Sequence, residues 1–273
     1  MTIPKFQKII LDWYKDNRRD LPWRNTKNPY RIMVSEIMLQ QTQVSRVLPK
    51  YKEFLNAFPN TKKLAESRDA ELLKIWSGLG YWRRARFLKE ASKKIEQDFA
   101  GKFPKDIKTL LTLPGIGPYT AGAISCFAFG NTDTFIDTNI RRVYLHFFFK
   151  DKTDIHDSEI LKIAEKSVIK NNPAEWHWAL FDYGALVLKD KKINKKSRHY
   201  TKQSKFEGSF RSYRAKLMRR LLQEPKQNMP KNSALDFLED LLRQDEQDYS
   251  AKEILESLIQ DKLVKMKDKR IFL

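Results

Sequence analysis

Two short stretches of this chain carry residue types that suit chemistry on a sugar joined to a phosphate. The stretch Leu113-Pro-Gly-Ile-Gly117 places Gly115 and Gly117 between two apolar segments, and Asp137 follows Gly117 by twenty residues. A glycine hairpin ahead of a helix offers backbone N–H groups to a phosphate. The alternative for the glycines is a tight connection, since Gly tolerates positive φ. The alternative for Asp137 is a helix N-cap, a role compatible with a fixed, ionised carboxylate.

Glu36 is a second carboxylate whose surroundings predict chemistry. It lies in the segment Val34–Val44, between apolar pairs at helical spacing and on a stripe continued by Gln40 and Gln43. A lone Glu on a helix is usually solvated. Burial on this stripe would instead raise its pKa, which is what a general acid requires.

The charge of the chain indicates a polyanionic partner. Its 53 Lys and Arg against 34 Asp and Glu give a formal net charge of +19. The excess is concentrated, because Lys189 to Arg220 contains 13 basic and 2 acidic residues. A basic stretch of this kind is typical of a nucleic-acid-binding surface.

Cysteine content and hydropathy exclude several classes. The single cysteine, Cys126, rules out an internal disulfide and a cysteine-ligated zinc or iron–sulfur centre. It lies in an apolar run and is expected to be a small buried hydrophobe. Since no apolar run reaches the roughly 18 residues of a membrane span, and no secretory signal is recognisable, a soluble, cytoplasmic protein is expected.

Apolar spacing predicts a mostly helical chain that would position these residues. The expected helices are Lys5–Asn17, Tyr30–Gln41, Val47–Ala57, Asp69–Gly78, Trp82–Asp98, Ile107–Leu113, Pro118–Phe129, Asn139–Phe149, Ser158–Ile169, Ala174–Leu188, Phe210–Leu222, Ser233–Arg243 and Ala251–Asp261.

A domain boundary is expected near Glu207-Gly-Ser209. Residues 1–204 would form the main domain and residues 205–273 a small C-terminal domain. Its three helices are followed by a hairpin turning at Lys267-Asp-Lys269, which favours a winged-helix-like unit over a simple helical tail.

Several motifs together resemble one known family in order and spacing over residues 1–188. They resemble the A/G-specific adenine DNA glycosylases of the MutY type, within the helix-hairpin-helix glycosylase superfamily. The motifs are Leu21-Pro-Trp-Arg24, Ser35-Glu-Ile-Met-Leu-Gln-Gln-Thr-Gln-Val44, Gly78-Leu-Gly-Tyr81, Leu113-Pro-Gly-Ile-Gly117 and Ile136-Asp-Thr-Asn139.

The resemblance implies an all-α, two-lobed helix-hairpin-helix (HhH-GPD) fold that excises adenine opposite 8-oxoguanine or guanine after base flipping. Glu36 would protonate adenine N7, and Asp137 would stabilise the sugar oxocarbenium ion, as in glycoside hydrolysis by two carboxylates. Tyr119 and Asn139 would orient this pair.

The resemblance also implies contacts to the base and to the duplex. The adenine pocket would include Trp23, Arg24, Leu39 and Asp182. The gap left by the flipped base and the opposite base would be contacted by Gln41, Thr42, Leu79 and Tyr81. Gly115 and Gly117 would contact the DNA phosphate, and the resemblance suggests a monovalent cation at this hairpin.

Tyr119 stands where bifunctional relatives keep a lysine that forms a Schiff base. Tyrosine cannot form an imine. The enzyme is therefore expected to be monofunctional and to leave an abasic site.

The chain departs from the family in two segments. The four cysteines of the family's iron–sulfur cluster would fall on Leu188, Lys195, Arg198 and Ser204, so a clusterless member is expected. The basic loop 189–204 would contact DNA through Lys195, Lys196 and Arg198, the alternative being a solvated loop. The C-terminal domain is also too short for the domain that reads 8-oxoguanine in typical members.

Two other functions stay open at the level of sequence. A thymine or uracil mismatch glycosylase of the same fold would also tolerate Tyr119, although Leu39-Gln-Gln-Thr-Gln43 and Trp23-Arg24 favour adenine. A non-catalytic DNA-binding module would need only the hairpin and the basic stretch. The expected partner is double-stranded DNA with an A:8-oxoguanine or A:G mispair, bound by a monomer associated with the nucleoid.

Overall fold

The structure is a computed structural model that describes residues 1–202 and 204–273, apart from the side chain of Lys191. It is mostly helical, as the sequence predicts. Within the described residues the α-helices are α1 Ile3–Asn17, α2 Pro29–Leu39, α3 Val44–Ala57, α4 Thr61–Glu66, α5 Asp69–Trp76, α6 Arg83–Phe99, α7 Ile107–Leu110, α8 Pro118–Phe129, α9 Thr138–Phe148, α10 Asp157–Ser167, α11 Pro173–Leu186, α12 Phe210–Gln223, α13 Lys231–Gln244 and α14 Ala251–Gln260.

Shorter elements complete the chain. Pro22–Arg24 and Lys191–Lys196 form 3-10 helices, and the strands are β1 Asn228–Pro230, β2 Lys265–Lys267 and β3 Arg270–Phe272. Each predicted helix has a counterpart. Helix α4, the strand β1 and both 3-10 helices were missing from the sequence prediction, because each is too short to show a clear hydrophobic period.

The first compact unit comprises Met1–Ile37 and Lys102–Lys202. Its core contains a group of aromatic rings around Phe6, whose centroid lies 5.5 Å from that of Trp176 and 5.0 Å from that of Phe148. These contacts bring α1, α9 and α11 together. Helix α8 is buried along most of its length, which explains its small residues.

The second compact unit comprises Met38–Gly101 and the described residues after position 203. Phe54 of α3 packs edge-on against Trp76 of α5, with 5.9 Å between ring centroids. Helix α6 ends at Phe99, and its C-cap residue Ala100 adopts a left-handed conformation with φ 49° ahead of Gly101 with φ 77°. The predicted domain boundary at residue 204 stays a prediction, and the C-terminal helices group with residues 38–101.

The C-terminal segment has the winged-helix-like order of one helix, a strand, two helices and a hairpin. The strands form an antiparallel sheet in the order β1-β3-β2, with Met229 opposite Ile271 and Lys267 opposite Arg270. Asp268 and Lys269 form the turn, both with positive φ (49° and 57°), which is the hairpin geometry that suits the twist of the strands. Ile271 in the middle of β3 is fully buried.

The described helices include none that combines the length and apolarity needed to cross a bilayer.

Candidate active site

The glycine hairpin leads directly into α8. Gly115 adopts φ 76°, where a β-carbon would be strained, and Gly117 is the N-cap residue of α8 with Pro118 in its first turn. Because Gly117 has no side chain that could cap α8, the backbone N–H groups of the first turn can donate to another acceptor. Behind the hairpin, a Cβ on Gly122 would lie 2.8 Å from that of Phe135. The absence of that atom lets α8 approach the irregular segment that leads to Asp137.

Glu36 lies in α2 and is 4% exposed. The Tyr119 hydroxyl donates a hydrogen bond of 2.7 Å to its Oε2. Burial raises the pKa of Glu36 to about 7, and the charge of Asp137 adds to this, while the bond from Tyr119 and the charge of Arg24 act in the opposite direction. At neutral pH a substantial fraction of Glu36 therefore holds a proton that it can donate.

Asp137 is the N-cap of α9, so the capping alternative describes its local structure. Its Oδ1 accepts from the N–H groups of Asn139 (2.9 Å) and Ile140 (2.7 Å), and its Oδ2 accepts from Asn139 Nδ2 at 2.9 Å. Packing against protein raises the pKa of Asp137, and these hydrogen bonds together with Arg141 lower it. The hydrogen bonds fix both oxygens in place, which is the preorganisation that stabilisation of a cationic sugar would require.

Tyr119 is held by aromatic neighbours as well as by Glu36. Its ring packs edge-on against Phe135 and Phe181, with centroid distances of 5.7 and 6.4 Å. Burial and the charge of Glu36 raise the pKa of Tyr119 well above its ordinary value. The hydroxyl therefore stays protonated and acts as a hydrogen-bond donor.

A glycine on α11 sets the position of the Asp137 cap. A Cβ on Gly184 would lie only 2.5 Å from the carbonyl oxygen of Asn139. Arg142 of α9 strengthens the same contact, since its Nη1 donates to the Gly184 carbonyl at 2.7 Å. The close approach of α9 and α11 thus depends on the absence of a side chain at position 184.

Asp182 forms ion pairs in the first unit. It is fully buried, and Arg24 donates to both of its oxygens at 2.8 Å, while Arg19 Nε donates at 2.7 Å. The pKa of Asp182 is lowered, because these partners outweigh its desolvation. A direct contact of Asp182 with a base stays a prediction; in this structure it orients Arg24. Trp23 is buried at 6% exposure.

The residues predicted to contact the base or the duplex from the second unit lie at the end of α2 (Leu39), on the loop after it (Gln41 and Thr42) and on the turn before α6 (Leu79 and Tyr81). Arg84 holds this loop and turn together, a role that sequence reasoning missed. Gln41 and Tyr81 adopt positive φ (54° and 47°), and Tyr81 is 39% exposed whereas Leu79 is buried. The acceptors of the Arg84 guanidinium are the carbonyls of Met38 (2.9 Å), Gln40, Leu79 (3.0 Å) and Gly80 (3.2 Å), and the hydroxyl of Thr42 (2.9 Å).

A sequence signal for Arg84 existed. It occupies the buried stripe of α6 at helical spacing with Leu88, Ala91 and Ile95. A charged residue at such a position requires several hydrogen-bond acceptors. Its guanidinium also lies 5.3 Å from the Tyr81 ring centroid, so one side chain contacts Thr42, Leu79 and Tyr81, three of the four residues predicted to fill the gap left by the flipped base.

The basic loop is positioned by protein hydrogen bonds. Lys196 Nζ donates to the carbonyls of Phe149 (3.2 Å) and Lys150, at the end of α9. Arg198 forms an ion pair with Asp154, and Lys195 is exposed. Of the three residues predicted to contact DNA here, two have structural partners within the protein.

The iron–sulfur cluster of the resembled family does not fit these residues. Leu188, Lys195, Arg198 and Ser204 offer no thiolate. The described chain, residues 1–202 and 204–273, also brings together no group of three His, Cys, Asp or Glu side chains that could hold a metal ion. Cys126 is buried elsewhere, in α8.

The fold and the site together define a class of protein. The chain belongs to the HhH-GPD superfamily of base excision DNA repair proteins, whose family model matches residues 34–170. The resemblance to adenine DNA glycosylases noted in the sequence is confirmed by relatives that carry this name. The one from Buchnera aphidicola (subspecies Baizongia pistaciae) is 41% identical over 192 residues, which are 68% of this chain and 54% of that protein.

A second relative and one solved structure extend the comparison. The adenine DNA glycosylase of Mycolicibacterium smegmatis is 47% identical over 135 residues, 49% of this chain and 46% of that protein. The structure of a thermostable thymine-DNA glycosylase aligns with a TM-score of 0.62 at 30% identity, over 67% of this chain and 88% of that one. The chain spans about half the length of the curated relatives it matches.

Proposed function

We propose that this protein is a DNA glycosylase that removes adenine mispaired with 8-oxoguanine or guanine. The observation that carries the proposal is the pairing of a proton-holding Glu36, bonded to Tyr119, with an Asp137 whose oxygens are fixed by α9. Glu36 protonates N7 of the flipped base, so the bonding electrons of the C1′–N9 bond leave with a neutral adenine. Asp137 stabilises the oxocarbenium ion until water adds to C1′ and releases a proton.

The choice of adenine is supported by the relatives named adenine DNA glycosylase and by the Leu39-Gln-Gln-Thr-Gln43 motif. Trp23, Arg24 and Leu39 line the adenine pocket in this proposal, with Asp182 fixing Arg24. The duplex is contacted by Gln41, Thr42, Leu79 and Tyr81 of the second unit and by the hairpin glycines of the first.

The proposed reaction ends at the abasic site. Tyr119 has no amine, and its hydroxyl is committed to Glu36. The strand is therefore cleaved only by later treatment with alkali. We propose that the enzyme acts as a monomer, beside the nucleoid, without an iron–sulfur cluster, and that a monovalent cation supports the hairpin at the phosphate.

A second candidate is a thymine or uracil mismatch glycosylase. The similarity to a thymine-DNA glycosylase structure, at 30% identity over 88% of that chain, favours it. The same carboxylate pair would act, and only the pocket and the leaving base would differ.

Single-turnover base release separates these candidates. Matched duplexes carrying A:8-oxoguanine, A:G, T:G or U:G are incubated with excess protein, with and without subsequent alkali. We expect adenine release, with strand breaks only after alkali. Release of thymine or uracil would favour the second candidate, with the same pair of carboxylates acting on a different base. Binding without release from any duplex would leave a non-catalytic DNA-binding module.

A further inference from the structure

The C-terminal segment separates its charges along the chain. Residues 204–230 contain seven basic and two acidic residues, and residues 262–273 contain five basic and one acidic. Between them, residues 231–261 contain three basic and nine acidic residues. Helix α12 and the β2–β3 hairpin are thus positive, and the pair α13–α14 is negative.

The acidic helices are those that would enter a groove in a usual helix-turn-helix arrangement, in which the second helix of the pair reads the bases. The exposed side chains of α14 are Lys252, Glu253, Glu256 and Gln260. Duplex DNA carries one negative charge per roughly 1.7 Å of its axis. A helix with this surface is repelled by the phosphates, so α14 is unsuited to groove binding here.

The exposed side chains at the tip of the β2–β3 hairpin are mostly positive, in contrast to those of α14. Lys267 and Lys269 flank Asp268 at its tip, and both lysines are exposed. Neither forms an ion pair with any carboxylate in the described part of the chain. The other two basic residues of the strands β2 and β3 have partners, since Lys265 Nζ lies 2.8 Å from Asp69 and Arg270 Nε donates to Asn228 at 3.0 Å. Within the hairpin, the two tip lysines are therefore the basic side chains that a polyanion can reach without breaking an ion pair or hydrogen bond.

The hairpin is also held firmly within the second unit. The Lys231 N–H donates to the Lys269 carbonyl at 2.9 Å, which ties the tip to the start of α13. Asp261, at the end of α14, accepts from Arg214 of α12 and pairs with Arg83 of α6 at 3.3 Å. The tip therefore has a fixed position relative to α6 and to the Gly78–Tyr81 turn that precedes it.

We propose that the β2–β3 hairpin is a second DNA contact, in which Lys267 and Lys269 bind phosphates of the duplex while α13 and α14 face away from it. This inference rests on the proposed function only in taking duplex DNA as the ligand. The contact is sequence-independent, because phosphates carry no base information. It supplies affinity through counterion release.

The test is the salt dependence of duplex affinity for Lys267→Glu combined with Lys269→Glu. We expect the slope of log Kd against log salt to fall by about 2, and affinity at low salt to drop at least about tenfold. The matched control reverses two exposed charges on α13, Asp236→Lys with Glu239→Lys, and should leave the affinity within about twofold and change the slope by less than about 0.5. Retention of the unfolding temperature by both proteins excludes loss of structure.

Several outcomes would overturn the proposal. One is an unchanged slope for the hairpin variant. Another is a gain in affinity for the α13 control as large as the loss for the hairpin variant, because that result would mean that only the net charge of the protein matters. An unchanged slope would favour a protein partner for the hairpin. If the double glutamate variant unfolds, Lys267→Gln with Lys269→Gln should still lower the slope by about 2, since both lysine charges are lost.

Failure of the proposed chemistry would look different. The glycosylase assignment is tested separately, by single-turnover excision with the unsubstituted protein. A protein that releases no base yet shows the predicted slopes would retain the hairpin contact and lose the glycosylase assignment.

Discussion

Glu36 is a carboxyl group whose protonation the protein controls by burial. The Tyr119 bond favours its ionised form, yet desolvation outweighs this and brings the pKa to about 7. A general acid of this pKa is poised at the pH where it works.

The rate of adenine release should follow the protonation of Glu36. We expect the single-turnover rate to be constant below pH 6 and to fall about tenfold for each pH unit above about 7, since only the protonated form donates. Glu36→Gln should lower the rate by about 10² to 10⁴ and remove this limb of the profile. Rates measured from pH 5 to 9 that do not decline above pH 7 would contradict the assignment.

The same pKa shift predicts a stability effect. The folded pKa of Glu36 lies above its ordinary value of 4.5, so its stabilising contribution is present below pH 4.5 and is lost as pH rises through about 7. A shift of this size corresponds to about 3 kcal/mol. We therefore compare the free energy of unfolding of Glu36→Gln with that of the wild type. The variant's value minus the wild type's should be larger at pH 8 than at pH 4.5, by up to about 3 kcal/mol. Urea unfolding of both proteins at the two pH values measures this change. A stability difference that is the same at both pH values would refute the prediction.

Asp137 combines a cap and a charge, and Asn can replace only the first. Asn caps helices as well as Asp, so Asp137→Asn should keep the unfolding free energy within about 1 kcal/mol of the wild type. Loss of the negative charge should reduce single-turnover excision at least about a hundredfold. Duplex affinity, measured in parallel, should persist. An Asn variant that excises at the wild-type rate would show that Asp137 is only a cap.

At the scale of elements, Arg84 connects the loop after α2 to the turn before α6. Its five acceptors are mostly backbone carbonyls, and leaving buried carbonyls unsatisfied costs about 1–3 kcal/mol each. The arrangement of this loop and turn therefore depends on a planar group with several donors.

Arg84→Lys should destabilise the protein by about 2 kcal/mol or more, because one ammonium cannot reach all five oxygens. It should also weaken the extrusion of the target base, monitored by the fluorescence of 2-aminopurine in place of adenine. The neighbouring Arg83→Lys is the control, since Arg83 is 55% exposed and should change stability by less than about 1 kcal/mol. Equal effects of both substitutions would remove the special role of Arg84.

Much of the helical architecture, the burial of Glu36 and the N-cap at Asp137 could be predicted from local sequence. Helix spacing depends on nearby residues, and Glu36 stood out as a charge on an apolar stripe. The bond from Tyr119 to Glu36 and the pairing of β1 with β3 join residues distant in sequence, so local patterns could not reveal them. The partners of Asp182 and Lys196 were missed for the same reason.

At the scale of the whole molecule, the basic side chains fall into two groups. One group is used internally, as with Lys196 at the end of α9 and Arg214 at Asp261. The other group is exposed, as at Lys195 and the hairpin tip. Net charge alone therefore overstates the surface available to DNA.

This distinction predicts that two adjacent lysines affect different properties, DNA affinity for one and stability for the other. Lys195→Glu should weaken duplex binding and lower the salt slope by about 1 to 2, with little change in stability. Lys196→Glu should destabilise the fold by about 1–2 kcal/mol, because it removes a charged donor from two carbonyls at a helix end. Thermal unfolding and affinity measurements on both variants decide this. The assignment fails if Lys195→Glu binds as the wild type does.

The buried position of Cys126 bears on the conditions under which this protein would work. Burial raises the pKa of its thiol to about 12, so at physiological pH almost none of it is the thiolate that peroxides attack. Cys126 is the sole cysteine of the chain. If the proposed function holds, the described chain therefore exposes no thiol to the oxidant that would create its substrate.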